Sequence, residues 1–372
     1  MSELWTVSVP SGRVSKTFGK PDRSVEGCSW SPDGKRLAFA LSTDPRPKGL
    51  GTNDLYVLRI SDGHLYPLVV QPGPNGSPVW SPDGSRIALL TAMGREDFFY
   101  RNVHIAVVPS GGGKPVDVTA DFDESAYLID WGPDGIFFNA SQRTASHLFR
   151  LDPESGSVDR VTCPDGWTGG SFSFTSDFKT AAFLSADSKS LDEICVSDLH
   201  PFQPRPVTSM STQVRQYTFG SRDLVRWTSS DGTEIEGVLY KPPRFNKRRK
   251  HPLLVLIHGG PAGVSRPTLD PLHGVYPVEH WLDRGAVILN PNYRGSTGYG
   301  EAFRSLNIRN LGMGDMEDVL SGVDHLIDEG FVDPKRMGAM GWSQGGFISA
   351  FLTTHTDRFR AISVGAGISN WV

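Results

Sequence analysis

The stretch Gly338-Ala339-Met340-Gly341-Trp342-Ser343-Gln344-Gly345-Gly346-Phe347 carries the pattern Gly-x-Ser-x-Gly between two apolar segments. Residues 336–341 have the pattern of a short buried strand after a Val-Asp-Pro turn signal, and residues 348–352 that of an apolar helix. This strand–turn–helix context distinguishes a nucleophile elbow, where a strained turn exposes a serine hydroxyl, from a glycine-rich loop with an incidental serine. The sequence therefore predicts Ser343 as a nucleophile.

A second apolar run, residues 252–257, leads directly into His258-Gly259-Gly260-Pro261. Continuous apolar runs are typical of central parallel strands that are buried on both faces. A Gly-Gly turn after such a strand lets backbone N–H groups face a reacting carbonyl, so we expect an oxyanion hole made by the N–H groups of Gly260 and Gln344. His258 precedes the serine, whereas in the fold that carries such elbows the triad follows the chain order Ser, acid, His. A structural hydrogen bond is therefore the favoured interpretation of His258.

The general base is the missing part of this chemistry. Of ten histidines only His355 follows Ser343, at the far end of the helix that the serine starts. At about 1.5 Å rise per residue the two side chains are roughly 18 Å apart, far beyond hydrogen-bond reach. Asp357, the only acid after the serine, has the same problem. We therefore expect the triad acid and histidine to lie beyond residue 372, and the chain alone to be inactive.

The first half of the sequence repeats one turn motif at intervals of 43 to 51 residues. The copies are Trp30-Ser-Pro-Asp-Gly34, Trp80-Ser-Pro-Asp-Gly84, Trp131-Gly-Pro-Asp-Gly135 and the degenerate Phe174-Thr-Ser-Asp-Phe178. Proline pre-sets φ for the turn and glycine takes its left-handed position, and a strand follows each copy. This period predicts an incomplete β-propeller of about four to five blades over residues 1–215. Residues 4–9 have the pattern of an outer strand without inner neighbours, so we expect truncation at both ends.

The second half alternates strands and helices. The predicted elements are a hairpin at 224–228 and 234–240, strands at 252–257, 285–290, 336–341 and 361–365, and an amphipathic helix at 316–327. Alternation of apolar strands with helices indicates a parallel sheet covered on both faces. Residues 216–372 are accordingly predicted to be the N-terminal part of an α/β-hydrolase domain.

These features together resemble the prolyl oligopeptidase family, closest to its acylaminoacyl-peptidase and dipeptidyl-peptidase-like branch. Besides the propeller repeats, the motifs are Ser230-Asp-Gly232, His258-Gly-Gly-Pro261, Asn292-Tyr-Arg-Gly-Ser-Thr-Gly-Tyr-Gly300 and Gly341-Trp-Ser-Gln-Gly-Gly346. The resemblance implies a serine peptidase that acts on short peptides, with the propeller restricting access to a cavity between the domains. It also implies that the triad acid and histidine come from later segments.

Two tryptophans are candidates for the substrate pocket. The strand at 361–365 is expected to run parallel to the elbow strand, so the residues after it emerge on the side of the serine. Trp371 is then a candidate wall for an apolar substrate side chain, and a core tryptophan is the equally weighted alternative. Trp342, next to the serine, is the second candidate.

Composition excludes several other function classes. A net charge of −4 and a pI near 6.2 predict no nucleic-acid partner, and the basic run from Arg244 to His251 fits a solvated loop. Three widely spaced cysteines form neither a disulfide framework nor a metal-ligand cluster, and no cofactor is expected. The sequence has no run of 18 apolar residues, and its first five residues lack the basic and apolar regions of a signal peptide, so we expect no membrane partner and a cytoplasmic location.

A serine peptidase is the favoured function, and two alternatives are open. An esterase or lipase would use the same elbow, since acyl transfer needs only a nucleophile, a base and an oxyanion hole. A non-catalytic propeller scaffold with a vestigial hydrolase half is the other. The intact elbow and Gly-Gly segment argue against decay, because neither is needed for binding.

Overall fold

A computed structural model describes residues 2–44, 51–270 and 276–368. Its first half is built from antiparallel strands, joined by turns and two short 3-10 helices at 98–100 and 210–214. The strands are β1 (Leu4–Val7), β2 (Val14–Phe18), β3 (Ser24–Trp30), β4 (Arg36–Ser42), β5 (Asn53–Arg59), β6 (Leu65–Val69), β7 (Asn75–Trp80), β8 (Arg86–Thr91), β9 (His104–Pro109), β10 (Val116–Asp117), β11 (Tyr127–Gly132), β12 (Gly135–Gln142), β13 (Ala145–Leu151), β14 (Val158–Arg160), β15 (Gly169–Phe174), β16 (Thr180–Ser185), β17 (Glu193–Asp198) and β18 (Arg205–Pro206).

Strands β3 to β18 form four successive four-stranded sheets, and each repeat motif joins the first two strands of one sheet. The turn closes in the same way in the first, second and fourth copies, through a hydroxyl that donates to the aspartate two residues on. Ser31 donates to Asp33 at 2.6 Å, Ser81 donates to Asp83 at 2.6 Å, and Gly34 has the left-handed φ of 67°. In the third copy Gly132 takes the place of the hydroxyl residue and pairs with Gly135. The recurring motif is therefore a hairpin turn that starts each blade, as the period predicts.

Neighbouring sheets pack face to face through apolar cores. Trp80, on the second sheet, donates its indole N–H to the Ser29 carbonyl of the first at 3.0 Å and lies under the Arg36 guanidinium. Arg86 covers Trp131 of the third sheet in the same way, at 5.1 Å. This repeated stacking is the arrangement of propeller blades.

The first two strands form a separate hairpin. Strands β1 and β2 pair antiparallel, and Leu4 and Phe18 pack against the core of the first sheet, with Phe18 5.3 Å from the ring of Phe39. The predicted strand and turn near residues 4–12 are thus present, and β2 is the partner strand.

The second half forms one six-stranded sheet with helices. The elements are β19 (Ser221–Thr228), β20 (Glu234–Lys241), β21 (His251–Ile257), α1 (Val278–Asp283), β22 (Val287–Asn292), α2 (Gly300–Ser305), α3 (Gly314–Asp328), β23 (Val332–Trp342), α4 (Gln344–His355) and β24 (Ala361–Gly365). The strand order is β19-β20-β22-β21-β23-β24. Only β22, β21, β23 and β24 run parallel; the predicted hairpin adds two antiparallel strands, because β20 pairs antiparallel with β22.

Burial on both faces explains the apolar run of β21. Leu253, Val255 and Ile257 point to one face, where they pack in a core with α3 and α4. Leu256 points to the other face and packs with Leu282 of α1. Because both faces are covered, the strand shows no polar alternation.

Candidate active site

Ser343 lies on the turn between β23 and α4 in a strained backbone conformation. Its φ is 58° and its ψ is −118°, a region that residues with a side chain rarely occupy. Two hydrogen bonds hold it there: its N–H donates to Gly365 O at 3.0 Å, and its carbonyl accepts from Phe347 N at 3.0 Å. The backbone geometry is that of a nucleophile elbow.

The glycines around the serine are required by close backbone approach. A methyl group at Gly345 would overlap the Ile257 carbonyl oxygen and lie 2.8 Å from the His258 carbonyl oxygen. A methyl group at Gly346 would overlap the Gly365 carbonyl oxygen. Helix α4 therefore starts in direct contact with the ends of β21 and β24, which fixes the serine relative to the neighbouring loops.

The turn after β21 lies beside the serine. A methyl group at Gly259 would be 3.3 Å from Ser343 Cβ and 3.9 Å from Ser343 Oγ. Gly260 follows with a φ of 146°, which favours glycine. The structure thus brings the Gly-Gly turn and the start of α4, with Gln344, to the same end of the sheet. The assignment of the Gly260 and Gln344 N–H groups to an oxyanion hole stays a prediction.

His258 is held by structural contacts. Its Nδ1 donates to the Gly259 carbonyl at 2.7 Å, its Nε2 lies 3.1 Å from the Ser296 hydroxyl, and its ring stacks on Tyr293 at 4.4 Å. Burial lowers the pKa of His258 to about 4, so the ring is neutral at pH 7. These contacts match the structural interpretation of this histidine.

A buried carboxyl group that the sequence analysis did not identify is hydrogen-bonded to the elbow. Asp315, at the start of α3, accepts a hydrogen bond from Gln344 Nε2 at 3.0 Å, and both side chains are fully buried. Burial raises the pKa of Asp315 to about 7. Because Gln344 is the residue after the nucleophile, this contact ties the elbow to α3.

The Asn-Tyr-Arg-Gly motif has a structural role that its pattern alone did not disclose. Arg294 forms two hydrogen bonds with Asp318, at 2.7 and 2.9 Å, and two more with Asp231, at 2.8 and 3.1 Å. Arg294 and Asp318 are buried, and the nearby guanidinium keeps the pKa of Asp231 well below its usual range. The motif therefore pins the loop after β22 to α3 and to the β19–β20 turn.

In the part of the chain that the structure describes, no histidine is hydrogen-bonded to the Ser343 hydroxyl. His355 ends α4, as predicted, where its Nδ1 donates to the Phe351 carbonyl at 3.0 Å and its ring stacks on Phe351. Trp342 is 50% exposed beside the serine and covers Gly365 of β24. Trp371 lies outside the described residues. Strand β24 runs parallel to β23, as predicted.

Carboxylates of the propeller bind the loop between β22 and α2. Glu124 accepts hydrogen bonds from the N–H groups of Gly298 and Gly300, both at 3.1 Å, and burial raises the pKa of Glu124 to about 7. In return, Glu301 of α2 pairs with Arg95 and Arg101 of the propeller at 3.1 and 3.2 Å. These contacts join the two halves of the chain directly.

The described part of the chain contains neither a metal site nor a membrane-spanning helix. Among residues 2–44, 51–270 and 276–368, no group of three His, Cys, Asp or Glu side chains is placed to hold a metal ion. Within these same ranges no helix has the length and apolar character needed to cross a membrane. The three cysteines are free thiols.

Comparison with known proteins supports the resemblance. The Prolyl oligopeptidase family matches residues 276–372, which include the elbow. The chain is 28% identical to dipeptidyl-peptidase 5 of Porphyromonas gingivalis over 364 residues, which are 94% of this chain and 51% of that protein. It is 29% identical to dipeptidyl-peptidase 5 of Trichophyton equinum, covering 89% of this chain and 48% of that protein. The chain thus spans about half the length of the curated relatives it matches.

Solved structures with the same fold are also found. Pyrococcus horikoshii acylaminoacyl peptidase superposes with a TM-score of 0.80 at 21% identity, covering 99% of this chain and 56% of that chain. A puromycin hydrolase superposes with a TM-score of 0.73 at 23% identity, covering 95% of this chain and 54% of that chain. At these identities the likeness concerns the fold.

Proposed function

We propose that the full-length protein is a serine peptidase that hydrolyses short peptides through an acyl-enzyme, with Ser343 as the nucleophile. The strained backbone of Ser343 is the observation that carries this proposal, because such strain persists only where the surrounding structure enforces it. We assign residues 1–215 to a propeller and residues 216–372 to the N-terminal part of an α/β-hydrolase domain.

In this mechanism Ser343 Oγ attacks the carbonyl carbon of the scissile peptide bond. The negative charge that develops on the carbonyl oxygen is stabilised by the backbone N–H groups of Gly260 and Gln344, which act without reorganising. Collapse of the tetrahedral intermediate expels the amine and leaves an acyl-serine, which water hydrolyses. The tight packing of Gly345 against β21 supports this proposal, because it holds the two donor segments together.

A general base must take the serine proton, and we propose a histidine from outside the described residues, as the family resemblance implies. His258, on the loop beside the serine, and His355, at the end of α4, are hydrogen-bonded to other groups. A hydroxyl without a base is a weak nucleophile. The 372 residues expressed alone should therefore show only residual turnover, orders of magnitude below that of the full-length protein.

The propeller is proposed to limit the substrate to short peptides. Its side chains contact the loop that follows β22, so it covers the carboxyl edge of the catalytic sheet. Relatives are named for dipeptidyl and acylaminoacyl substrates, and a related acylaminoacyl peptidase is known in complex with a peptide chloromethyl ketone. These names support a peptide substrate with a small group on the amino side of the cleaved bond.

Kinetics on matched substrates test the proposal. The full-length protein is assayed with chromogenic dipeptidyl amides, an acetylated aminoacyl amide and a short-chain ester of the same chromophore. We expect peptide-bond hydrolysis that Ser343→Ala lowers by several orders of magnitude in kcat, with folding intact. Ester hydrolysis without amide hydrolysis would favour an esterase, and near-normal turnover by Ser343→Ala would refute the role of the serine.

A further inference from the structure

Arg266 is a half-buried arginine that pairs with no carboxylate among the described residues. Its Nη2 donates to the Ser141 hydroxyl on strand β12 of the propeller at 2.7 Å, while its Nε is buried and has no hydrogen-bond partner in the described part of the chain. Burial lowers the pKa of its guanidinium. A buried cation of this kind is unfavourable unless an anion compensates it.

The other arginines around this interface are compensated. Arg143 and Arg226 both pair with Glu236, at 3.1 and 2.8 Å. Arg304 is also hydrogen-bonded to a serine, Ser125, at 2.9 Å, but the charges of Glu124 and Glu301 act on it. Within the described ranges no carboxylate acts on Arg266 in this way, so its guanidinium can take an anionic ligand.

A cavity of about 480 Å³ adjoins Arg266 between the propeller and the catalytic sheet. Its propeller wall includes Asn139, Ser141 and Ser146, and its other wall includes Gly263 and Thr297. Hydroxyl and amide groups thus line the same cavity as the guanidinium, as is usual where a polar ligand group is oriented. The one carboxylate in the lining, Asp192, is exposed and does not pair with Arg266.

The backbone that carries Arg266 is fixed in place. The N–H of Ser265 donates to the Asn292 side chain at 2.6 Å, and the Asn292 amide donates back to the Ser265 carbonyl at 3.1 Å. The Gly263 carbonyl accepts from Thr297 N at 3.2 Å. The guanidinium is therefore presented to the cavity from a rigid loop, so little ordering is needed when a ligand binds.

The same loop begins at the candidate nucleophile. It starts with Gly259, which lies against Ser343, and folds back so that a methyl group at Gly263 would be 2.7 Å from His258 Nδ1. The loop thus runs from the candidate nucleophile, at Gly259, to the wall of the cavity, at Gly263 and Arg266.

We propose that Arg266 is a specificity-determining residue that binds a carboxylate of the peptide substrate in this cavity. Arginine suits this role, because its planar fork matches a carboxylate with two parallel hydrogen bonds. The carboxylate is either the carboxyl terminus of a short peptide or an acidic side chain. This inference rests on the proposed peptidase function for its ligand, but its test is binding.

The test measures equilibrium binding to full-length protein carrying Ser343→Ala, which prevents turnover. One pair of ligands is an acetylated tripeptide with a free carboxyl terminus and its C-terminal amide. The second pair consists of amidated peptides that differ only by Glu or Gln. We expect the charged member of one pair to bind about tenfold more tightly, as for a charge-assisted bidentate contact, and the pair that responds identifies the source.

Adding Arg266→Gln should abolish that preference, Arg266→Lys should keep part of it, and Ser141→Ala should weaken it. The matched control, Arg304→Gln, removes another serine-bound arginine at the interface. This variant should retain the preference for the charged peptide. Thermal unfolding tells loss of binding from loss of fold, and Ser141→Ala serves as the readout if Arg266→Gln unfolds. Charged and neutral peptides that bind equally, or no binding by any of them, would overturn the inference. If the charged peptide is preferred but full-length protein with Ser343 intact hydrolyses none of the substrates, the peptidase function alone is refuted.

Discussion

Replacing Ser343 by glycine should stabilise the protein relative to replacing it by alanine. Both changes remove the hydroxyl, so both abolish the proposed catalysis. They differ in how they tolerate a φ of 58° and a ψ of −118°. Alanine keeps the strain of a side chain in this region, whereas glycine adopts it without steric cost.

The expected difference follows from two opposing effects. Relief of backbone strain at one such position is worth about 1–3 kcal/mol. Glycine loses about 0.5–1 kcal/mol relative to alanine, because its unfolded chain is more flexible. We therefore expect Ser343→Gly to be about 1 kcal/mol more stable than Ser343→Ala. At Thr353, an exposed position in the same helix, glycine should instead be about 1 kcal/mol less stable than alanine.

Urea unfolding of these four variants, followed by tryptophan fluorescence and circular dichroism, gives the two free-energy differences. The difference should change sign between residue 343 and residue 353. If glycine is the less stable residue at both positions, Ser343 is unstrained in solution and the elbow geometry that carries the proposed function is wrong.

Three further predictions concern the surroundings of the serine. Gly345→Ala should destabilise the protein by about 1–3 kcal/mol in urea unfolding, because its methyl group overlaps the Ile257 carbonyl. This loss should exceed the gain in helix propensity of about 1 kcal/mol. Gly111→Ala, which has open space around it, is the control. Arg294→Ala should lower the free energy of unfolding by about 3–5 kcal/mol, because it leaves the buried Asp318 unpaired. The control Arg226→Ala should lower it by less than about 1 kcal/mol, because Glu236 still pairs with Arg143. A small decrease for Arg294→Ala would contradict the proposal that the motif fixes the loop after β22. Asp315 in the folded protein holds its proton up to about pH 7, whereas in the unfolded chain it releases the proton near pH 3.8, so the free energy of unfolding should fall as the pH rises through this window. Asp315→Asn should therefore flatten the pH profile of the unfolding free energy relative to wild type. Parallel profiles would show that burial does not raise the pKa of Asp315.

Local sequence constraints made the elbow and the blades predictable. Gly341 is needed by its close contact with Gly345 within the strand–turn–helix unit. Three of the four blade turns are closed by side-chain hydrogen bonds between residues two to five positions apart. The apolar run of β21 predicted a strand buried on both faces, because its composition depends on burial alone. In each case the information lies within a few residues of the feature.

The contacts that the sequence did not reveal join residues far apart in the chain. Asp315 meets Gln344 only because α3 packs beside α4, and nothing in the helix pattern marks this aspartate. Glu124 and Arg266 make their contacts 174 and 125 residues away. The antiparallel pairing of β20 with β22 could not be predicted for the same reason. The alternation of strands and helices indicates which strands run parallel, but it does not indicate which strand pairs with the edge of that parallel sheet.

Covalent labelling tests the central claim, that Ser343 is the nucleophile, most directly. Full-length protein is treated with a fluorophosphonate probe, and the adduct is located by peptide mass spectrometry. The account predicts one adduct, on Ser343, that is lost in Ser343→Ala and retained in Ser349→Ala, which changes a serine of the same helix. Labelling at another serine, or equal labelling of Ser343→Ala, would contradict it.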